Sequence, residues 1–172
     1  MLPLGDLTGS VGCIYNEMEM ASRNDNTSDS IKMIAEQCVA VRLRLLTRAV
    51  TKIYNHALRP HGLTVSQMNI LAVVGYLNEP RQQDVCHALH LDRSTLSRDI
   101  ERLRTQGWLD QRPGEDARTS LLRLTTSGRK LLLKTLPAWE KAQREAIELL
   151  GKEHIAKLDR STQALRSAVS KT

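Results

Sequence analysis

No stretch constrains this chain more than LDRSTLSRDIERLRTQGWLDQR, Leu91 to Arg112. Leu96, Ile100 and Leu103 recur at i, i+4 and i+7, the spacing that lines one stripe of a helix turning about 100° per residue. That stripe requires a core to face. The opposite side collects Ser94, Arg98, Arg102 and Thr105, hydroxyl and guanidinium groups with almost no apolar atom among them, so it suits solvent or a polyanion. Asp92 or Ser94 can cap the helix start by accepting from an orphan backbone N–H, and Gly107 supplies the left-handed residue that ends it.

Upstream, RQQDVCHALHLD predicts a shorter helix with Val85, Ala88 and Leu89 inward, then a tight turn at His90 and Leu91. Two short helices joined in this way, the second carrying the basic face, form the pattern of a helix-turn-helix. Downstream, Trp108 to Arg112 and Ser120 to Leu124 are short runs able to pair, separated by PGEDART, which is rich in turn formers and charge. A hairpin, or wing, should follow the helices.

The succession GLTVSQMNIL, DVCHALHLDRSTLSRDIERLRTQGWLDQ and GEDARTSLLRLTTSGR resembles the winged-helix core of the MarR family of bacterial transcription regulators. The resemblance covers about residues 31–169. Its specific marks are the second helix, the D-x-R of the wing (Asp116, Arg118) and L-T-x-x-G (Leu124, Thr125, Gly128). It implies a mainly α fold with a small β-hairpin wing, an α+β winged helix of about six helices, and a homodimer whose terminal helices intertwine. It also implies that Asp116 orients Arg118.

Composition fits a DNA-binding body. Lys and Arg number 25 against 19 Asp and Glu. Residues 1–30 hold one base against five acids, so the remainder carries 24 bases against 14 acids, a surplus of ten. A basic body favours a polyanion, although charge alone is equally a solvated surface. Aromatics make up 3% and Phe is absent, which argues against base stacking on single strands or RNA and leaves duplex DNA as the better partner. No apolar run approaches the roughly 18 residues of a membrane span, and no basic-then-apolar leader opens the chain, so a cytoplasmic location is expected. Cys13, Cys38 and Cys86 are odd in number and widely spaced, which indicates neither a disulfide framework nor a metal knuckle.

Taken in order, residues 1–30 read as a flexible N-terminal extension whose last residues cap the next helix. Residues 31–58 read as one long dimerisation helix, because Ile31, Ile34, Val41 and Leu45 lie on one stripe and Ala35, Val39, Leu46, Val50, Ile53 and Ala57 on another. One small domain cannot cover both stripes, and a second copy of the chain can. Residues 59–124 form the winged helix-turn-helix DNA-binding region, opening with the breaker Arg59-Pro60-His61-Gly62 and a helix over Val65 to Leu77. Thr64 caps that helix, and Met68, Leu71, Ala72 and Leu77 point inward. Residues 125–172 supply C-terminal dimerisation helices. The first has a seam of Leu132, Leu136, Trp139, Ala146 and Leu150, interrupted by Gln143 and kinked by Pro137; the second, Lys152 to Val169, lines up Ile155, Leu158, Leu165 and Val169.

Ser94, Thr95, Ser97, Arg98 and Arg102 are the candidates for the major groove, since hydroxyls reach phosphates or bases and an Arg can grip guanine O6 and N7 together. Asp99 should turn sideways to pair with Arg102 or Arg104. Arg118, with Asp116 beside it, is the candidate for a narrow minor groove, against the alternative of a surface ion pair worth little. Arg112 and Arg123 are weaker phosphate candidates. Cys38 lies where peroxide-sensing relatives carry a reactive Cys, but their accompanying tyrosines are missing, and a buried structural thiol is the favoured reading. His87, His90, His56 and His61 lack partners at ligand spacing, so neither a metal nor another cofactor is expected. Arg42, Leu46, His61, Met68 and Trp108 are placed by the resemblance around a crevice for a small-molecule effector.

The sequence therefore supports a DNA-binding regulator acting as a homodimer, most simply a ligand-responsive repressor on an inverted-repeat operator. Thiol sensing through Cys38 and a winged helix that binds protein remain as alternatives. No nucleophile, base and orienter recur at a meaningful spacing, so an enzyme is not expected.

Overall fold

The computed structural model describes residues 26–114 and 120–169, and the chain divides into two compact units, residues 1–47 and 48–172. Described residues of the first unit comprise α1 (Asn26–Gln37) and the opening turns of α2 (Val39–Leu58). The single long helix expected over residues 31–58 is thus two, and helix begins five residues earlier, inside the extension expected over residues 1–30. The interruption falls at Cys38, yet the hydrogen-bond ladder passes through it: the Cys38 N–H donates to the Ile34 carbonyl at 3.2 Å, and the Arg42 N–H donates to the Cys38 carbonyl at 3.2 Å. The Arg42 guanidinium also reaches back across the break to the Glu36 carbonyl at 3.0 Å. With neither Pro nor Gly present, the sequence carries no mark of this break.

The second unit continues with α3 (Val65–Leu77), α4 (Gln82–Leu89), α5 (Arg93–Thr105), β1 (Leu109–Pro113), β2 (Ser120–Leu124), α6 (Thr126–Leu150) and α7 (Lys152–Val169). Thr64 caps α3 as expected, in a reciprocal box with Gln67, and the Asn55 side chain accepts from the Val65 N–H at 2.8 Å. Its core draws on Leu58, Ile70, Leu71, Val74, Val85, Leu96, Leu103 and Leu122, each at most 1% exposed. Among the predicted inward residues, Ala72, Leu77 and Ala88 are exposed, while Ile70 and Val74 take the core side of α3. The outward turn of Ala88 follows from the length of its helix. A helix of eight residues such as α4 has only two turns, and Val85 fills its one core position, with Cys86 and Leu89 half-buried beside it.

β1 and β2 pair antiparallel from Leu109 opposite Leu124 to Pro113 opposite Ser120. A third, minimal edge joins them: Arg81 bridges Leu121, and the Leu122 N–H donates to the Pro80 carbonyl at 2.9 Å. Between α4 and α5, His90 adopts φ +50° and closes α4 with its own N–H to the Cys86 carbonyl, while the Leu91 N–H donates to the same carbonyl at 3.1 Å. A left-handed residue is needed here and His bears the Cβ cost. Replacing His90 with Gly is therefore expected to raise stability by about 0.5–1 kcal/mol, read as a higher urea midpoint at unchanged slope.

α6 runs unbroken through Pro137, and its buried positions are Gly128, Thr135, Ala142 and Ala146. Leu136, expected in the seam, is 43% exposed. Gln143, which looked like an interruption, accepts the hydroxyl proton of Tyr54 on α2, and burial pushes the Tyr54 phenol above its ordinary range. That pair, 89 residues apart, ties α2 to α6 inside the second unit. On α7, Leu158 is 48% exposed. The side chains of Leu165 and Val169 lie outside the described residues.

Candidate nucleic-acid interface

α5 is held by its inner stripe and presents its outer one. Leu96, Ile100 and Leu103 are 0%, 3% and 0% exposed, while Ser94, Thr95, Ser97, Arg98, Arg102 and Thr105 are all exposed. The expected face exists. Gly107, at φ +70°, ends the helix where the chain must turn into β1, and its N–H donates to the Arg104 carbonyl at 2.8 Å.

Asp92 rather than Ser94 is the cap. Its Oδ1 accepts from the Thr95 N–H at 2.8 Å and from the Ser94 hydroxyl at 2.7 Å, and its Oδ2 accepts from the Thr95 hydroxyl at 2.7 Å. The Ser94 hydroxyl, then the Thr95 hydroxyl and the Thr95 N–H, hold this carboxyl far below its ordinary value of 3.8. Because the folded pKa is depressed, the cap's contribution is complete above pH 3.8 and is lost as acid protonates the folded carboxylate. The difference in melting temperature between wild type and Asp92→Ala should accordingly be constant at neutral pH and shrink in acid below that value.

The arginines differ in their freedom. Arg102 approaches Asp99 at 3.7 Å, and Asp99 in turn accepts from the Ser66 hydroxyl on α3 at 3.1 Å, so the sideways turn predicted for Asp99 is present and Ser66 reinforces it. Arg104 pairs with Glu101 at 3.2 Å. Among the described residues, no carboxylate lies within ion-pair distance of Arg98. On the wing, Arg123 is joined to Asp110 at 2.7 Å, and that hydrogen bond lowers the Asp110 carboxyl, so a phosphate would have to compete with Asp110 for this guanidinium. Arg112 is exposed on β1. Asp116 and Arg118, assigned to the wing tip, lie outside the described residues.

Of the residues placed around a crevice, His61 and Trp108 line one cavity of about 340 Å³ together with Gln67, Arg102, Leu103 and Gln106. Met68 does not join them; it is 7% exposed in the core cluster. Arg42 and Leu46 belong to the first compact unit and are exposed. Gln67 and Gln106 went unnoticed in the sequence because polar residues at a helix start and end read as caps. Cys38 is half-buried, not buried as favoured above. Among the described residues, no group of three or more His, Cys, Asp or Glu could hold a metal ion, and no helix is long and apolar enough to cross a membrane.

Residues 61–119, which span the helix-turn-helix and the start of the wing, match the model of the MarR family. An uncharacterised HTH-type transcriptional regulator of Bacillus subtilis, YwoH, is 34% identical over 83 residues, 48% of this chain; the match spans 61% of that protein's length. The transcriptional regulator MosR of M. tuberculosis, solved in complex with DNA, is 30% identical with a TM-score of 0.67 over 78% of this chain and 98% of its own. A mutant MarR of E. coli, solved with operator DNA, shares the fold at 19% identity and a TM-score of 0.69, over 77% of this chain and 96% of its own. A capped helix with one locked and one basic face, a hairpin behind it and these likenesses converge, and the chain belongs to the MarR family of winged-helix transcription regulators.

Proposed function

We propose that this chain acts in the cytoplasm as a homodimer that binds duplex DNA at an inverted repeat and represses transcription, with a small-molecule effector controlling release. The observation that carries the reading is the outer face of α5, where Ser94, Arg98 and Arg102 stand exposed on a helix whose other side is locked into the core. The resemblance to MosR, solved with DNA, supports it. On this reading Ser94, Thr95, Ser97, Arg98 and Arg102 enter the major groove, and Arg118, oriented by Asp116, reaches the minor groove.

Residues 59–124 would be the DNA-binding region, and residues 31–58 and 125–172 would dimerise. Ile31, Ile34, Val39, Leu43 and Leu45 are each 55% exposed or more, large apolar side chains that a second copy of the chain would cover. A symmetric dimer then sets two recognition helices one turn of DNA apart, about 10 base pairs. The cavity of His61, Gln67, Gln106 and Trp108 also contains Arg102, so an effector seated there would touch a DNA-reading side chain directly.

Binding to fragments of the DNA upstream of its own coding sequence, measured from low to moderate salt, tests the proposal. A protein contacting six to ten phosphates should lose about 10³–10⁵ in affinity between 50 and 200 mM salt. Binding that is indifferent to salt and sequence would sink the reading and favour a protein partner for the basic face.

A further inference from the structure

The start of α5 carries its own carboxylate. Helix N-termini ordinarily attract anions, because their N–H groups point outward unsatisfied. Here the place is taken by the Asp92 carboxylate, which accepts the Thr95 N–H and both neighbouring hydroxyl protons. A hydroxyl has one proton and two lone pairs. With their protons directed to Asp92, Ser94 and Thr95 offer only lone pairs to whatever lies in front of them. A phosphate oxygen is an acceptor and cannot use a lone pair; it would also meet the negative charge of Asp92. Major-groove edges do carry suitable donors, the N4 amino group of cytosine and the N6 amino group of adenine.

We propose that Asp92 is a positioning residue for specificity: it polarises Ser94 and Thr95 into hydrogen-bond acceptors that select cytosine or adenine amino groups. The proposal rests on the duplex-DNA reading above and deepens it. Arg98, one turn along the same stripe from Ser94, is left to read guanine, so neighbouring bases are read by groups of opposite hydrogen-bonding sense. Asp92 also repels non-specific phosphate at the point where the helix enters the groove.

The test begins by selecting duplexes from a randomised library with the wild-type protein. Affinities are then measured on the selected duplex and on versions lacking a single exocyclic amino group, with purine for adenine or 2-pyrimidinone for cytosine. Removing the amino group at the position read should cost wild type about 10-fold and cost Ser94→Ala or Thr95→Val at that position nothing further. Asp92→Asn, whose side-chain oxygen can still cap the helix, should bind unselected duplex several-fold more tightly and discriminate about 10-fold less. The base-analogue arm needs no variant, so a variant that folds poorly leaves the outcome decided. If every amino deletion is neutral for wild type, or the hydroxyl variants weaken all duplexes by one common factor, the hydroxyls contact phosphate and the proposal is overturned while DNA binding stands. If wild type selects no duplex at low salt, the DNA reading itself fails and the proposal falls with it.

Discussion

Gly128→Ala is expected to destabilise the protein by about 2–3 kcal/mol, although alanine is the better helix former by about 1 kcal/mol. A Cβ at this position would lie 2.3 Å from the Trp108 carbonyl oxygen and 2.8 Å from Leu124 Cδ1. Leu124 can shift its side chain; the Trp108 carbonyl is backbone and cannot. It is fixed by the Thr125 N–H at 3.2 Å, while the Thr125 and Ser127 hydroxyls hold the adjacent Gly107 carbonyl at 2.8 and 2.6 Å. The first turn of α6 must therefore lift from the end of α5, loosening these bonds together. Gly107→Ala provides the comparison, since its φ is +70° but nothing lies within 4 Å of the added carbon. That change should cost only the left-handed conformation, about 1 kcal/mol. Urea midpoints for both variants separate the two causes, and a Gly128→Ala protein as stable as wild type would show that the turn moves freely.

The elements governed by local chemistry were legible. The inner stripe of α5, a side-chain cap at Asp92 or Ser94, the left-handed Gly107, the two wing strands and the bounds of α7 each follow from residues within a turn or two of one another. Features that depend on distant partners were not. Gln143 reads as a flaw in an apolar seam until Tyr54 is found opposite it. Pro80 and Arg81 are too few to show a strand pattern, and only β2 makes them an edge. Ala72, Leu77 and Ala88 sit at helical spacing from true core residues yet face outward, because periodicity sets the angle of a stripe less sharply than packing does. For the candidate site, the sequence identified the exposed residues on α5 but not the direction of their hydrogen bonds. Spacing shows that Asp92, Ser94 and Thr95 are close, whereas which atom donates to which is a matter of rotamers. Arg123 illustrates the same limit: a weaker phosphate candidate by its charge, it has a cross-strand ion-pair partner in Asp110 that spacing along the chain does not reveal.

Arg98→Ala is expected to weaken binding to a selected operator by about 10- to 100-fold, the larger of the effects foreseen on α5. The expectation turns on which arginine is free. Arg104 is engaged by Glu101 at 3.2 Å, and Arg102 stands 3.7 Å from an Asp99 that Ser66 steadies, so binding DNA requires each to loosen an existing attraction. Arg98 has no such carboxylate among the described residues, and its stem rises from a helix locked by Leu96 and Ile100 on either side. It can deliver its whole guanidinium to a base edge with little rearrangement. Arg104→Ala removes the same formal charge and should cost less than about threefold. The two variants differ in kind as well as degree. Loss of a guanine contact should relax preference at one position of the operator, whereas loss of a phosphate contact weakens all duplexes alike and lowers the salt slope by about one. Equal, sequence-blind losses in both variants would reduce Arg98 to one basic residue among several. A selective loss in Arg98→Ala alone would place it on a base.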